Sequence, residues 1–101
     1  MRLTNLPIDN LRAFVTVTDL GSYTKAGQLL GRTQPAITLQ IQRLEELVGR
    51  ELIQSTGREI ALTEAGEALL RYARQILRLN DEAAALLQRR QPSGILRIGL
   101  P

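Results

Sequence analysis

The stretch that decides the fold is Thr33–Val48, TQPAITLQIQRLEELV. Thr33 can cap a helix because its hydroxyl can accept from an unpaired backbone N–H of the first turn. Pro35 follows within that turn, where its missing N–H costs nothing. Apolar residues then recur at the steps of one buried helical stripe, namely Ile37, Ile41, Leu44 and Val48. The pattern therefore predicts a capped helix packed on a core.

The side of this helix opposite the buried stripe carries hydrogen-bonding groups with one leucine among them. At about 100° per residue, that side comprises Gln34, Pro35, Thr38, Leu39, Gln42 and Arg43. Amide side chains can read base edges in a DNA groove, and an apolar group can contact a thymine methyl. The face therefore indicates a DNA-reading helix. The alternative is an ordinary three-helix core whose polar face is merely solvated, and spacing alone leaves both open.

Two shorter helices are predicted before this one. The first begins between Pro7 and Asn10 and runs to Asp19. Ser22 is a suitable N-cap for the second, Tyr23–Leu30. The side chains expected to face inward from the second helix are Tyr23, Ala26, Leu29 and Leu30. Because the turn before the third helix is very short, the second and third helices are predicted to form a helix-turn-helix.

A hairpin is predicted after the third helix. Its strands are expected at Glu51–Ser55 and Glu59–Thr63, with Thr56–Gly57 as the turn. A hairpin directly after a helix-turn-helix is a wing, and Arg58 stands at its shoulder. An arginine there can reach for phosphate or for a narrow, electronegative minor groove. It can equally be a solvent-exposed hairpin residue, and the sequence leaves both interpretations open.

A much longer helix is predicted from Glu64 to about Arg90, capped by Thr63. At about 1.5 Å per residue it would be roughly 40 Å long, more than the preceding domain can cover. Its apolar seam therefore needs a partner helix, and we expect the same helix of a second copy of the chain to cover it. The residues expected to hold this homodimer are Leu69, Ala73, Ile76, Leu77, Asn80, Ala83 and Leu87. The alternative is that the seam packs against a part of the protein outside this sequence.

The pattern changes after the long helix. Residues 91–94, QPSG, break the helix and are interpreted as a hinge. Residues 95–100, ILRIGL, alternate as a strand does, and we interpret 95–101 as the first strand of a truncated effector domain. The predicted organisation is a winged helix-turn-helix DNA-binding domain over 1–63, a linker and dimerisation helix over 64–90, the hinge and that strand. The predicted fold class is mainly α.

Composition excludes several classes of function. The 101 residues contain no cysteine and no histidine, so a disulfide framework, a serine–histidine triad and a usual zinc site cannot be built. No nucleophile–base or metal constellation is present, and we do not expect an enzyme. No apolar run approaches the roughly 18 residues of a membrane span, so we expect a cytoplasmic protein without a membrane partner. A net charge of +3 and a pI near 10.2 favour an anionic partner such as nucleic acid.

Several segments together resemble a known family. The order FVTV, GSYTKAGQLL, TQPAITLQIQRLEELVG, LTEAGEALLRYAR and GILRIGLP is similar to the N-terminal region of LysR-type transcriptional regulators. The resemblance implies a winged helix-turn-helix, a linker helix that pairs antiparallel in a homodimer, and an effector domain like a periplasmic binding protein after the hinge. It implies double-stranded DNA as the partner and a tetramer in the full-length protein. No cofactor is expected in this fragment, and a small-molecule effector is expected for the missing C-terminal domain.

The resemblance also implies roles for individual residues. The positions that match base-facing residues of the family are Gln34, Pro35, Thr38 and Leu39, and Arg58 matches the wing arginine of the minor groove. We also expect phosphate contacts from Thr33, Lys25, Arg32 and Arg43, although Arg32 stands where the family usually has an aliphatic residue. Leu39 stands where the family commonly has arginine, so an arginine contact in the major groove cannot be carried over. We expect Leu39 to contact a thymine methyl instead.

The expected function is therefore sequence-specific DNA binding at the bacterial nucleoid. The dimer would read an interrupted inverted repeat, with the recognition helix in the major groove and the wing in the minor groove. The alternative is a protein-interaction module that uses the same exposed helix face.

Overall fold

Four helices and a two-stranded sheet make up the computed structural model, which describes residues 3–57 and 59–89. In chain order these are α1 (Ile8–Leu20), α2 (Tyr23–Leu30), α3 (Gln34–Val48), β1 (Ile53–Thr56), β2 (Glu59–Leu62) and α4 (Glu64–Arg89). This order confirms the predicted fold class, a winged helix-turn-helix followed by a long helix. The predicted hinge over 91–94, the strand over 95–101 and Arg58 lie outside the described residues.

The first helix, α1, supplies the centre of the core. Its Leu11, Phe14 and Val17 are fully buried, and burying one such side chain contributes about 1.5–3 kcal/mol. The predicted stripe of α3 also lies in the core, since Ile37, Ile41 and Leu44 are buried and Val48 is half-buried. Asn10 of α1 donates its Nδ2–H to the backbone carbonyl of Gln40 at 3.0 Å. This hydrogen bond fixes α1 against the middle of α3.

The turn between α2 and α3 is as tight as predicted. Ser22 Oγ and Thr33 Oγ1 cap α2 and α3 by accepting from backbone N–H groups at 3.0 and 3.2 Å. A Cβ on Gly27 would lie 2.6 Å from the carbonyl oxygen of Arg32, so glycine is what lets the turn pass this close to α2. The prediction that Leu29 faces inward is wrong. It is 69% exposed, because α2 turns its small residues toward the core instead.

The first strand of the wing begins later than predicted. β1 starts at Ile53 rather than at Glu51. The Glu45 carboxylate accepts from the backbone N–H groups of Leu52 and Ile53 at 2.8 and 3.4 Å. These hydrogen bonds hold the chain before the strand on α3 rather than in the sheet. The hairpin is thereby attached to the recognition helix itself.

The turn of the wing also begins later than predicted. β1 and β2 are antiparallel, and Thr56 pairs with Glu59, so Thr56 belongs to the strand. Gly57 opens the loop with a φ of 62°, the left-handed conformation that a two-residue hairpin loop requires. The second strand ends at Leu62 rather than at Thr63. Thr63 caps α4, as predicted, since its Oγ1 accepts from a backbone N–H of that helix at 3.0 Å.

The first half of α4 packs against the domain, which corrects the expectation that the preceding domain leaves its seam uncovered. Ala73 and Leu77 are 0% and 7% exposed and lie in the hydrophobic core. They therefore belong to the chain's own core and not to a seam offered to a partner. Asn80, also predicted in the seam, is exposed and donates to the carboxylate of its neighbour Asp81 at 3.1 Å.

The exposed side of α4 carries a second apolar stripe, whose large side chains the sequence analysis did not single out. Its large side chains are Tyr72, Leu79 and Leu86, which are 61%, 60% and 52% exposed. Half-buried Ile76 and exposed Ala83 continue the same line between them. At about 100° per residue, this stripe lies roughly 130° around the helix from the buried one. Ile76 and Ala83 belong both to this stripe and to the predicted seam, and Leu87 of that seam is 66% exposed. The uncovered surface therefore overlaps the predicted seam but is shifted around the helix from it.

Candidate nucleic-acid interface

The outward face of α3 brings the predicted base-contacting residues together on its first two turns. Gln34, Pro35 and Leu39 are exposed, and Thr38 is half-buried. Leu39 is 65% exposed. One exposed leucine is ordinary on a protein surface, so exposure alone does not indicate a function. What distinguishes Leu39 is its place within a row of hydrogen-bonding side chains, on the helix side turned away from the core.

Gln34 and Thr38 are joined to each other by two hydrogen bonds. The amide Nε2 of Gln34 donates to Thr38 Oγ1 at 2.8 Å, and that hydroxyl donates to the Gln34 backbone carbonyl at 3.2 Å. Residues four apart lie on one helix face, so the pair forms without distorting the helix. The amide oxygen and the second N–H have no partner within residues 3–57 and 59–89. The amide is therefore held with one acceptor and one donor available to a ligand.

Three cationic side chains predicted to hold phosphates lie on the helix-turn-helix. Arg32 Nη2 is 3.7 Å from Asp9 Oδ2, and Arg43 Nη1 is 3.5 Å from Glu46 Oε1. All four side chains are largely exposed, and pairs of this kind contribute about 0–1 kcal/mol. Either guanidinium can therefore exchange its carboxylate for a phosphate at little cost. Lys25, on the first turn of α2, is also exposed.

Thr33 can serve two purposes at once. Its hydroxyl oxygen accepts from the N–H of Ala36 at 3.2 Å, which caps α3. The hydroxyl hydrogen can still be donated to an oxygen of a ligand. The residue sits at the N-terminus of the recognition helix, where the helix dipole favours an anion.

The wing is the part of the predicted interface that the structure leaves incomplete. Arg58 lies outside the described residues, and its role stays a prediction. The described residues on either side of it, Gly57 and Glu59, are exposed at the tip of the hairpin. The tip is thus presented to solvent on a hairpin attached to α3 by the carboxylate of Glu45.

Glu45 is a positioning residue that the sequence pattern did not reveal. A carboxylate in the last turn of a helix opposes the helix dipole, and this unfavourable placement was a signal that it has a specific partner. Burial, and then the charge of Glu45, raise the pKa of Tyr23 above its ordinary value, so the phenol stays neutral beside this carboxylate. Glu45 of α3 thus holds the chain that leads into the wing and also acts on Tyr23 of α2.

Across 3–57 and 59–89, no group of three or more acidic or histidine side chains could hold a metal ion. None of the helices described there is both long enough and apolar enough to span a membrane.

The tight turn between α2 and α3, the exposed polar face of α3 and the attached hairpin define a winged helix-turn-helix of the DNA-binding class. The family described as bacterial regulatory helix-turn-helix protein, lysR family, matches residues 8–67. The chain belongs to this family, as the resemblance in the sequence implied.

Named relatives show the same family. The chain is 48% identical over 95 residues to the HTH-type transcriptional regulator PecT of Dickeya dadantii, covering 94% of this chain and 30% of the relative. It is 43% identical over 97 residues to the HTH-type transcriptional regulator DgdR of Burkholderia cepacia, covering 96% of this chain and 33% of the relative. The chain therefore spans about a third of the length of these curated relatives.

Solved structures of similar fold include protein–DNA complexes. The BenM_DBD/catB site 1 DNA complex aligns with a TM-score of 0.76 and 34% identity, over 82% of this chain and 93% of that one. The CbnR_DBD–DNA complex aligns with a TM-score of 0.74 and 35% identity, over 82% of this chain and 95% of that one.

Proposed function

We propose that this chain binds double-stranded DNA sequence-specifically, as the DNA-binding domain of a bacterial transcriptional regulator of the lysR family. The observation that carries the proposal is the outward face of α3, where a fixed amide, a hydroxyl and an exposed leucine lie together. The similar BenM and CbnR domains, both in complexes with DNA, support it. A small-molecule effector would act on a further part of the protein, and the bacterial nucleoid would be its location.

The base-reading role falls to four residues of α3. The Gln34 amide offers one acceptor and one donor side by side, which matches the N6 donor and N7 acceptor of adenine in the major groove. Thr38 orients that amide and lies one turn further along the same face. Pro35 and Leu39 present apolar surface suited to thymine methyl groups. The face therefore favours A·T base pairs at its centre.

The side chains proposed to bind phosphate lose little interaction energy when they leave their present partners. Arg32 and Arg43 have only long, exposed carboxylate contacts to give up. Lys25 is exposed on α2, and Thr33 keeps a hydroxyl hydrogen to donate. Arg58 would add a minor-groove contact from the wing. Phosphate contacts position the domain on the duplex, while the base contacts carry the sequence preference.

Dimerisation is proposed through α4. The exposed stripe Tyr72, Ile76, Leu79, Ala83 and Leu86 has the alternating steps of four and three that a paired helix buries. An antiparallel pair of such helices would place one winged helix-turn-helix at each end of the dimer. Each winged helix-turn-helix would then bind one half of an interrupted inverted repeat, because a two-fold dimer matches a two-fold DNA site.

The experiment that tests DNA binding is selection of bound sequences from a random duplex pool, followed by titration over a salt series. We expect an enriched inverted repeat whose complex weakens as salt rises. In Arg43→Gln, the log–log salt slope should fall by about 0.9 per lost phosphate contact. Arg71→Gln, the same charge change at an exposed position of α4, is the matched control and should keep the wild-type slope. A protein-interaction module on the same α3 face would give no enriched duplex at all.

A second prediction concerns base preference. Gln34→Ala should relax the preference at one base pair of each half-site, because a bidentate amide–adenine contact is worth about 1–3 kcal/mol of discrimination. The measurement is relative affinity across single-base variants of the selected duplex. Gln28→Ala, which removes an exposed amide from α2, is the control and should leave every preference intact. Unchanged preferences in Gln34→Ala would rule out this contact.

A third prediction concerns the exposed stripe of α4 as the dimer interface. Leu79→Gln should weaken self-association at least about 100-fold, because two leucines that each contribute about 1.5–3 kcal/mol are lost from a symmetric interface. Asn80→Gln, at the adjacent exposed position, should leave association close to wild type. Sedimentation over a concentration series measures both. Equal effects at the two positions would show that the exposed stripe is not the seam.

A further inference from the structure

Two reciprocal ion pairs join α1 to α4. Arg12 of α1 donates to the Asp81 carboxylate of α4 at 2.8 and 3.1 Å. Arg74 of α4 donates to the Asp19 carboxylate of α1 at 2.7 and 3.2 Å. Both pairs are bidentate, the arrangement in which an arginine fixes the direction of its partner as well as its distance. We call these four side chains the α1–α4 clamp.

The two pairs of the clamp hold the helices at two separate points. In α1 the arginine precedes the aspartate by seven residues, and in α4 the arginine again precedes the aspartate by seven. Seven residues span about 10 Å of helix. Because each arginine meets the aspartate of the other helix, the two helices run antiparallel, and Val15 and Leu77 line the groove beside the pairs. The buried contacts of Ala73 and Leu77 hold α4 against the domain, and two ion pairs this far apart constrain its direction from outside the core.

Stability alone does not explain the clamp. The paired side chains are 34% and 55% exposed in one pair and 49% and 48% in the other. Ion pairs this exposed contribute little net stability, and burial of Ala73 and Leu77 already attaches α4 to the domain. The hydrogen bonds from the arginines lower the pKa of both aspartates, so the pairs stay ionised at neutral pH.

The clamp also marks where α4 leaves the domain. Among the described residues, the Arg12–Asp81 pair is the last side-chain hydrogen bond or ion pair between α4 and the domain, and residues 82–89 are all exposed. Beyond this point the helix acts as a lever whose direction is set at the clamp. Residues 82–89 extend about 12 Å beyond the clamp, so a change of 10° moves the far end of the helix by about 2 Å. In a dimer the two protomers together would shift by about 4 Å, close to the rise of one base pair.

We infer that the α1–α4 clamp sets the angle between the DNA-reading domain and the linker helix, and thereby the half-site separation that the dimer accepts. Arg12, Asp19, Arg74 and Asp81 are then positioning residues for DNA recognition, although none of them lies on the reading face. The second part of the inference rests on the proposed dimeric DNA binding, whereas the first part does not.

The first test measures the angle without DNA. The chain has no cysteine, so spin labels can be placed at Gln54 and Gln88, which are exposed on the wing and near the end of α4. Labelled chain is diluted with excess unlabelled chain, so that each distance is measured within one protomer. The wild type should give a narrow distance distribution. Asp19→Asn with Asp81→Asn should at least double its width. Glu82→Gln, which loses only a pair within α4, should stay narrow.

The second test measures half-site separation. The probes are the duplex selected by the wild-type chain and derivatives with one or two base pairs inserted or removed between the half-sites. The wild type should lose about 10-fold or more in affinity per base pair of change. In Asp19→Asn with Asp81→Asn the loss should shrink to threefold or less. Preferences within each half-site should not move, and Glu82→Gln should behave as wild type.

Reversal of one pair shows whether the pairing itself matters. Arg12→Asp combined with Asp81→Arg restores an ion pair with the charges exchanged, and it should recover the narrow distance distribution and most of the spacing preference. A narrow distribution in the Asp19→Asn, Asp81→Asn variant, or an unchanged spacing profile with that variant, would overturn the inference. Failure of the wild-type chain to select any duplex would instead overturn the proposed function, and the distance measurement would still test the clamp.

Discussion

Burial of one face of α1 is the interaction on which the rest of the structure depends. Leu11, Phe14 and Val17 are fully buried, and α1 contacts α2, α3 and α4. Because α3 packs its apolar stripe on this helix, its polar side must point away from the domain. Because α4 packs on it too, and the α1–α4 clamp constrains its direction there, the linker helix is held in a defined relation to the recognition helix. The orientation of the reading face and of the dimerisation helix therefore follow from one shared core.

The opposite exposures of neighbouring apolar residues illustrate how the core selects the functional surface. Ile41 and Leu39 are two residues apart in α3, and they are 2% and 65% exposed. α4 repeats this division, with Leu77 in the domain core and Leu79 on the uncovered stripe. In both helices one side holds the fold together and the other remains available to DNA or to a second chain. Two carboxylates keep those available surfaces in fixed relation. Glu45 of α3 holds the chain that leads into the wing, and Asp81 of α4 is paired with Arg12 of α1.

Local signals in the sequence were sufficient to predict most of the fold. Caps such as Ser22 and Thr33 and the stripe of α3 predicted the helix-turn-helix, because they depend only on neighbours along the chain. The large side chains of the uncovered stripe of α4 were missed for the opposite reason. The series through Ala73 and the series through Leu79 both have steps of four and three, and only packing against the rest of the domain decides which side is buried. The start of β1 and the clamp were likewise set by contacts between residues far apart in sequence, which periodicity does not report.

The central claim is that the outward face of α3 touches base edges, and Leu39 tests it most directly. A duplex selected by the wild-type chain should be rebuilt with uracil in place of each thymine in turn, which removes one major-groove methyl group at a time. The account predicts that one such replacement in each half-site weakens binding of the wild-type chain but has much less effect on Leu39→Ala. If both proteins respond equally at every thymine, Leu39 does not contact a thymine methyl, and the reading face has been assigned wrongly.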